Sequence, residues 1–164
     1  MKSIIFFRHG QAKSSSIDLD HNRQLAHSGI IDAKKMGRHL SDMNEFPDLV
    51  ITSTAVRAKT TAEIAMASGN WNCPLYFEPD IYNGDLVFLL GLIKKQDNKV
   101  SSICLVGHEP NFSTFIYSAT GIKCMNLPTA SMTKIVFNVI KWDDIIMGFA
   151  NLDWHFSPKH LFNM

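Results

Sequence analysis

Ile4-Ile5-Phe6-Phe7-Arg8-His9-Gly10 opens the chain, and its reading decides the fold. Four consecutive apolar residues suit a strand buried on both faces, the kind found in parallel sheets. The run stops at a guanidinium, an imidazole and a turn residue. That is a strand end able to hold a phosphoryl oxygen and attack its phosphorus.

Outward from this strand the pattern alternates. Ser14 to His27 is polar and reads as loop. Ser28-Gly29 opens a helical pattern with Ile30, Ala33, Met36, Gly37 and Leu40 at three- and four-residue spacings. Asp48–Thr52 is a second short strand, Ala55–Ala67 a helix closed by Ser68-Gly69-Asn70, and Leu75–Phe77 a weaker strand. Asp85 can cap a helix running to Lys95. Ser101–Val106 is another buried strand, ending at Gly107-His108, and Asn111–Thr120 is a helix. Ser131–Ile140 and Ile145–Leu152 read as two longer strands, with Trp142-Asp143-Asp144 as a hairpin turn. Strand–helix alternation followed by a hairpin predicts an α/β fold: a single-domain three-layer α/β/α sandwich over 1–164, with a mainly parallel sheet and a C-terminal hairpin.

Composition excludes several classes. The 164 residues carry a formal net charge of +1, which argues against a nucleic-acid partner held by a broad basic surface. No apolar stretch reaches membrane-spanning length, and the run after Lys2 is too short for a signal peptide. Cys73, Cys104 and Cys124 are odd in number and widely spaced, as reduced thiols of a cytoplasmic protein would be. The seven histidines show no metal-ligand spacing, so neither a metal nor another cofactor is expected.

In a parallel sheet the ligand site lies beyond the carboxyl ends of the strands. Three of those ends carry related chemistry here. The first ends in Arg8-His9-Gly10, and the second leads into Ser53-x3-Arg57-Ala58-x-Thr60-Thr61. A third ends in Val106-Gly107-His108-x-Pro110. With the segment Asp20-His21-Asn22-Arg23-Gln24-Leu25, Gly29 and Ala33, these motifs make the chain resemble the histidine phosphatase superfamily, the phosphoglycerate-mutase-like fold. It is most similar to the small SixA-like phosphohistidine phosphatase branch of that superfamily.

The resemblance implies roles. His9 is the nucleophile that becomes phosphorylated, and must be neutral with its second ring nitrogen held by an acceptor such as a backbone carbonyl. Arg8 and Arg57 bind phosphate oxygens, as planar guanidinium forks do better than lysines. His108, protonated or hydrogen-bonding, stabilises the five-coordinate transition state. Arg23 is a further phosphate contact. Larger relatives carry an acid for the leaving group; Asp85 and Glu109 are the candidates here, although Asp85 also reads as a helix cap. Gly10 is expected to let the loop turn sharply, and Thr129-Ala130-Ser131 to border the pocket. The implied partner is a phosphorylated protein, such as a histidine phosphotransfer domain, or a small phosphorylated metabolite. The competing reading is a non-hydrolytic phosphate-recognition module on the same fold.

Overall fold

The computed structural model describes residues 1–123 and 126–162. Cys124, one of the three thiols read from the sequence, lies with Met125 outside the described residues. The elements run β1 (Lys2–Arg8), α1 (His27–Asp42), β2 (Leu49–Thr52), α2 (Val56–Gly69), β3 (Leu75–Phe77) and α3 (Leu86–Lys94). Then follow β4 (Ser102–Gly107), α4 (Asn111–Thr120), β5 (Met132–Phe137), β6 (Ala150–Phe156) and α5 (Pro158–Phe162). One six-stranded sheet has the order β3-β2-β4-β1-β5-β6. β1 pairs in parallel with β4, and β2 with β4 and β3; β5 alone runs against its neighbours. The α/β/α sandwich and its mainly parallel sheet are therefore as the alternating pattern predicts.

The opening strand shows why. Ile4 and Phe6 enter one core cluster with Leu89 and Ile93 of α3 and Phe112, Phe115 and Ile116 of α4. Ile5 and Phe7 enter the other, with Met36 and Leu40 of α1 and Ala58, Ala62 and Ala65 of α2. Successive side chains point to opposite faces, so a continuous apolar run needs a helical layer on each side. Helices α1 and α2 approach closely because their facing residues are small. A Cβ on Gly37 would stand 2.2 Å from the Ala65 carbonyl oxygen.

The C-terminal hairpin differs from expectation in its turn and in its strand bounds. β5 stops at Phe137 and β6 starts only at Ala150. Trp142–Asp144 is a single 3-10 turn within the link rather than a hairpin apex. The cause is Trp142, fully buried with Ile145 in the α3/α4 cluster. Its indole Nε1 donates to the Val100 carbonyl at 2.9 Å, and its backbone N–H to Asn98 Oδ1 at 2.9 Å. A residue anchored across the bottom of the sheet cannot also sit in a two-residue turn. The short helix α5 was not anticipated; Leu161 packs against the α1/α2 cluster.

Register places the site. Arg8 stands opposite Gly107 and Thr52 opposite Val106, so β1, β4 and β2 end level with one another. The residues just beyond, His9, Ser53 and His108, share one edge. His9 N–H donates to the Gly107 carbonyl (3.1 Å) and Ser53 N–H to that of Val106 (2.9 Å), extending the sheet contacts into the loops.

Candidate active site

His9 is 8% exposed, and its Nδ1 lies 2.7 Å from the carbonyl oxygen of Gly10. A carbonyl can only accept, so Nδ1 carries the hydrogen and Nε2 keeps its lone pair. The Nε–H of Arg57 points at that lone pair, 3.3 Å away. Burial lowers the His9 pKa to about 4; the charges of Arg57, Arg8 and Arg23 push it the same way against the opposing Gly10 carbonyl. The ring is therefore neutral above mildly acid pH.

Gly10 is required here for proximity rather than for a left-handed turn. A Cβ on Gly10 would lie 2.8 Å from the Gly29 carbonyl oxygen, and one on Gly29 would lie 2.3 Å from that of Gln11. The nucleophile's loop thus rests directly on the backbone at the start of α1. Gly10 N–H also donates to Thr61 Oγ1 (3.0 Å), which donates to the Arg57 carbonyl (2.7 Å). These bonds tie His9 to the helix that carries Arg57.

His108 is 7% exposed, with its ring centroid 5.2 Å from that of His9. Its pKa falls to about 3, first through burial and then through His9 and Arg57. Its ring is therefore uncharged at neutral pH. The Ser53 hydroxyl accepts from Ala55 N–H (3.2 Å) and lies 2.9 Å from His108 Nε2. A hydroxyl carries one hydrogen and two lone pairs, so Ser53 can serve His108 Nε2 as donor or as acceptor. His108 Nδ1 is buried without a partner among the described residues, as is Nε of Arg8. Buried polar nitrogens left unpaired are costly and call for a partner.

A cleft of about 260 Å³ is lined by Arg8, His9, Arg23, Arg57, His108 and Glu109, with Gln11, Ala12 and Thr129. It brings together all the expected site residues except Asp85. Asp85 Oδ1 accepts from Phe88 N–H (2.9 Å) and caps α3, beside a separate cleft with Pro79, Asp80 and Asn83. Glu109 is at the site, but both its oxygens are engaged: Oε1 accepts from Ser113 N–H (3.0 Å) and Oε2 from Leu127 N–H (3.1 Å). The Leu127 carbonyl in turn accepts from Arg8 Nη1. Glu109 thus anchors the segment that aims Arg8.

Two participants were missed from the sequence. Asp20 pairs with Arg57 (3.0 Å) and with Arg23 (2.9 Å), and accepts a hydrogen bond from the Tyr82 hydroxyl. Its spacing of three from Arg23 was the available signal. Tyr82 gave none; it reaches the site through the 3-10 turn Pro79–Tyr82, and its ring stands edge-on to His108 at 5.3 Å.

Residues 4–86 match the model of the histidine phosphatase superfamily, branch 1. The chain belongs to this superfamily. Among curated relatives, a Mycobacterium leprae protein is 28% identical over 62% of this chain and 61% of its own length. A chloroplast protein of Arabidopsis thaliana is 29% identical over 50% of this chain and 39% of its own. The matches thus span less than two thirds of these relatives. Among solved structures, the putative phosphohistidine phosphatase SixA from Agrobacterium tumefaciens superposes with a TM-score of 0.82 at 22% identity, covering 96% of this chain and 98% of that one. The protein histidine phosphatase SixA complexed with tungstate gives 0.84 at 20%, covering 97% and 99%. A mycobacterial glucosyl-3-phosphoglycerate phosphatase gives 0.69 at 14%, covering 93% and 97%. At these identities the likeness carries the histidine phosphatase fold.

The neutral pair His9 and His108 gives a pH prediction. A ring held near pKa 4 or 3 in the folded chain, against about 6.5 unfolded, binds fewer protons folded than unfolded throughout that interval. Stability contributed by these rings is full above about 6.5 and declines as pH falls toward about 4. NMR titration of the ring nitrogens is expected to show both histidines still neutral at pH 5.5. A transition of either ring near 6.5 would show that burial does not govern it.

Proposed function

We propose that this protein is a cofactor-independent phosphatase that passes a phosphoryl group through Nε2 of His9 to water. What supports this is one arrangement. A neutral, tautomer-fixed His9 presents its lone pair beside Arg57, while the buried Arg8 Nε and His108 Nδ1, which meet no partner among the described residues, belong to the same cleft. Such groups suit the equatorial oxygens of a phosphoryl group in transfer.

In the first step the Nε2 lone pair forms a bond to phosphorus, and the bond from phosphorus to the leaving group breaks with its electron pair. In the second, water attacks phosphorus, the Nε2–phosphorus bond breaks, and phosphate leaves with His9 neutral again. Arg8 and Arg57 carry the anionic charge through both steps, and His108 donates from Nδ1. Arg23 lies at the rim of the cleft as a further anion contact. The start of α2, which has no side-chain cap, adds favourable dipole charge beside Arg57.

Proton supply narrows the substrate. Hydrogen bonding from Tyr82, then the charge of Arg57, hold Asp20 at a pKa of about 2, so it is ionised at neutral pH. Glu109 is occupied by two backbone N–H groups. The cleft favours a leaving group that departs without an enzymic carboxylic acid, as the imidazole of a protein phosphohistidine does. This fits the names of the SixA neighbours, whereas a small phosphate ester fits that of the glucosyl-3-phosphoglycerate phosphatase. No helix among the described residues is long and apolar enough to cross a membrane. The free thiols Cys73 and Cys104 suit a reducing cytoplasm.

Incubation with a phosphohistidine-bearing phosphotransfer domain, in excess chelator, is expected to release phosphate and leave an acid-labile, alkali-stable phosphoprotein after rapid quench. p-Nitrophenyl phosphate should be hydrolysed more slowly. Retained orthovanadate binding with no release from either substrate would instead make the protein a phosphate-recognition module.

A further inference from the structure

Asp20 grips Arg57 with both its main chain and its side chain. Arg57 Nη1 donates to the Asp20 carbonyl at 2.7 Å, and Nη2 to Asp20 Oδ2 at 3.0 Å. Arg57 Nε, the third nitrogen, points instead at His9 Nε2. A planar guanidinium offers two forks: the end, made by Nη1 and Nη2, and the side, made by Nε and Nη2. Asp20 fills the end fork. The side fork is turned toward the atom that would bond phosphorus.

The other Asp20 oxygen accepts from Arg23: Oδ1 lies 2.9 Å from both Nε and Nη2. Tyr82 closes the group, its hydroxyl donating to Oδ2 and its ring under the Arg57 guanidinium at 5.8 Å. One carboxylate therefore sets the direction of two arginines that line the cleft. We infer that Asp20 is a positioning residue, a clamp that takes the outward fork of Arg57 and so presents the inward fork to a phosphoryl group on His9. The inference rests on the phosphatase reading for its substrate, but the clamp itself is a statement about oxyanion binding.

A simple charge count opposes this. Asp20 is an anion near an anion-binding cleft, so removing it should strengthen phosphate binding if it only competed for the arginines. The geometry decides the sign. Asp20 and the phosphoryl group occupy different edges of Arg57, so they are joint ligands rather than rivals. Loss of aim should outweigh the relief of repulsion, since a displacement of about 1 Å in a positioned group can cost on the order of a hundredfold in rate.

The test is a double-mutant cycle of Asp20→Ala with Arg57→Ala, read by the orthovanadate dissociation constant and by kcat/KM for p-nitrophenyl phosphate. Asp20→Ala alone is expected to weaken orthovanadate binding and lower kcat/KM together, by about ten- to a hundredfold. In the Arg57→Ala background the same change should cost only about threefold, the share carried by Arg23. Asp20→Asn, which keeps the side-chain volume, should fall between wild type and Asp20→Ala and guards against a folding defect. Tighter orthovanadate binding in either Asp20 variant, no change, or an undiminished cost in the Arg57→Ala background would each overturn the clamp. Wild-type protein that binds orthovanadate but releases no phosphate would overturn the phosphatase reading while leaving the cycle in binding constants intact. Wild-type protein that binds none would overturn both.

Discussion

His9→Ala is expected to abolish phosphate release, by roughly 10⁴-fold or more, while the protein stays folded. The size of the loss follows from the position of Nε2. It is a neutral nitrogen lone pair beside Arg57 Nε, in a cleft where Arg8 Nε and His108 Nδ1 are buried with no partner among the described residues. With the ring gone, water would have to attack the substrate unaided. The fold should survive because the sheet bonds at this point are made by backbone. His9 N–H and its carbonyl pair with Gly107 and Ala130 whatever the side chain. The variant should still bind orthovanadate through Arg8, Arg57 and His108, and form no phosphoprotein after quench. Turnover within tenfold of wild type would remove His9 from the mechanism. Binding lost along with turnover would show instead that the ring supports the cleft.

The parts of this molecule that were legible in the sequence are those where chemistry and periodicity coincide. Ile4 to Phe7 read as a doubly buried strand because each of its faces needs a helix layer, and both are there. Arg8, Arg57 and His108 could be placed on one edge because parallel strands in register end together. What escaped depended on contacts between segments far apart in the chain. Trp142 looks like a turn neighbour locally, yet it is held by Asn98 and Val100. Glu109 looks locally like an acid beside His108, and only its bonds to Ser113 and Leu127 reveal an anchor. Gly10 suggests a sharp turn, whereas the constraint is the Gly29 backbone resting on it. Asp20 was visible within a motif, but its hold on Arg57 spans 37 residues. Local patterns report which face a residue shows; they do not report what lies against it.

Arg57→Lys should be the most informative conservative change, with an expected loss of about 10²- to 10³-fold in kcat/KM. The positive charge is kept, so any loss measures geometry rather than net electrostatics. Arg57 serves three acceptors from three nitrogens: His9 Nε2, the Asp20 carbonyl and Asp20 Oδ2. A lysine ammonium is a single point with three donors and cannot span acceptors on opposite edges of a guanidinium. Because Arg57 is 6% exposed, a lysine there also has little access to solvent with which to complete its shell. It must follow Asp20, leaving the phosphoryl group without its inward fork, or follow the phosphoryl group, leaving Asp20 to Arg23 and Tyr82. Either choice weakens the transition state more than the ground state, since the three phosphoryl oxygens swing into the equatorial plane that the fork meets only in transfer. The loss should therefore fall mainly on kcat, with KM shifting less. Arg23→Lys provides the contrast. Its side chain is 29% exposed, so water can replace what the guanidinium gave, and its loss should stay within about tenfold. Equal losses at the two positions, or an Arg57→Lys protein within threefold of wild type, would mean that charge alone is what the cleft requires of Arg57.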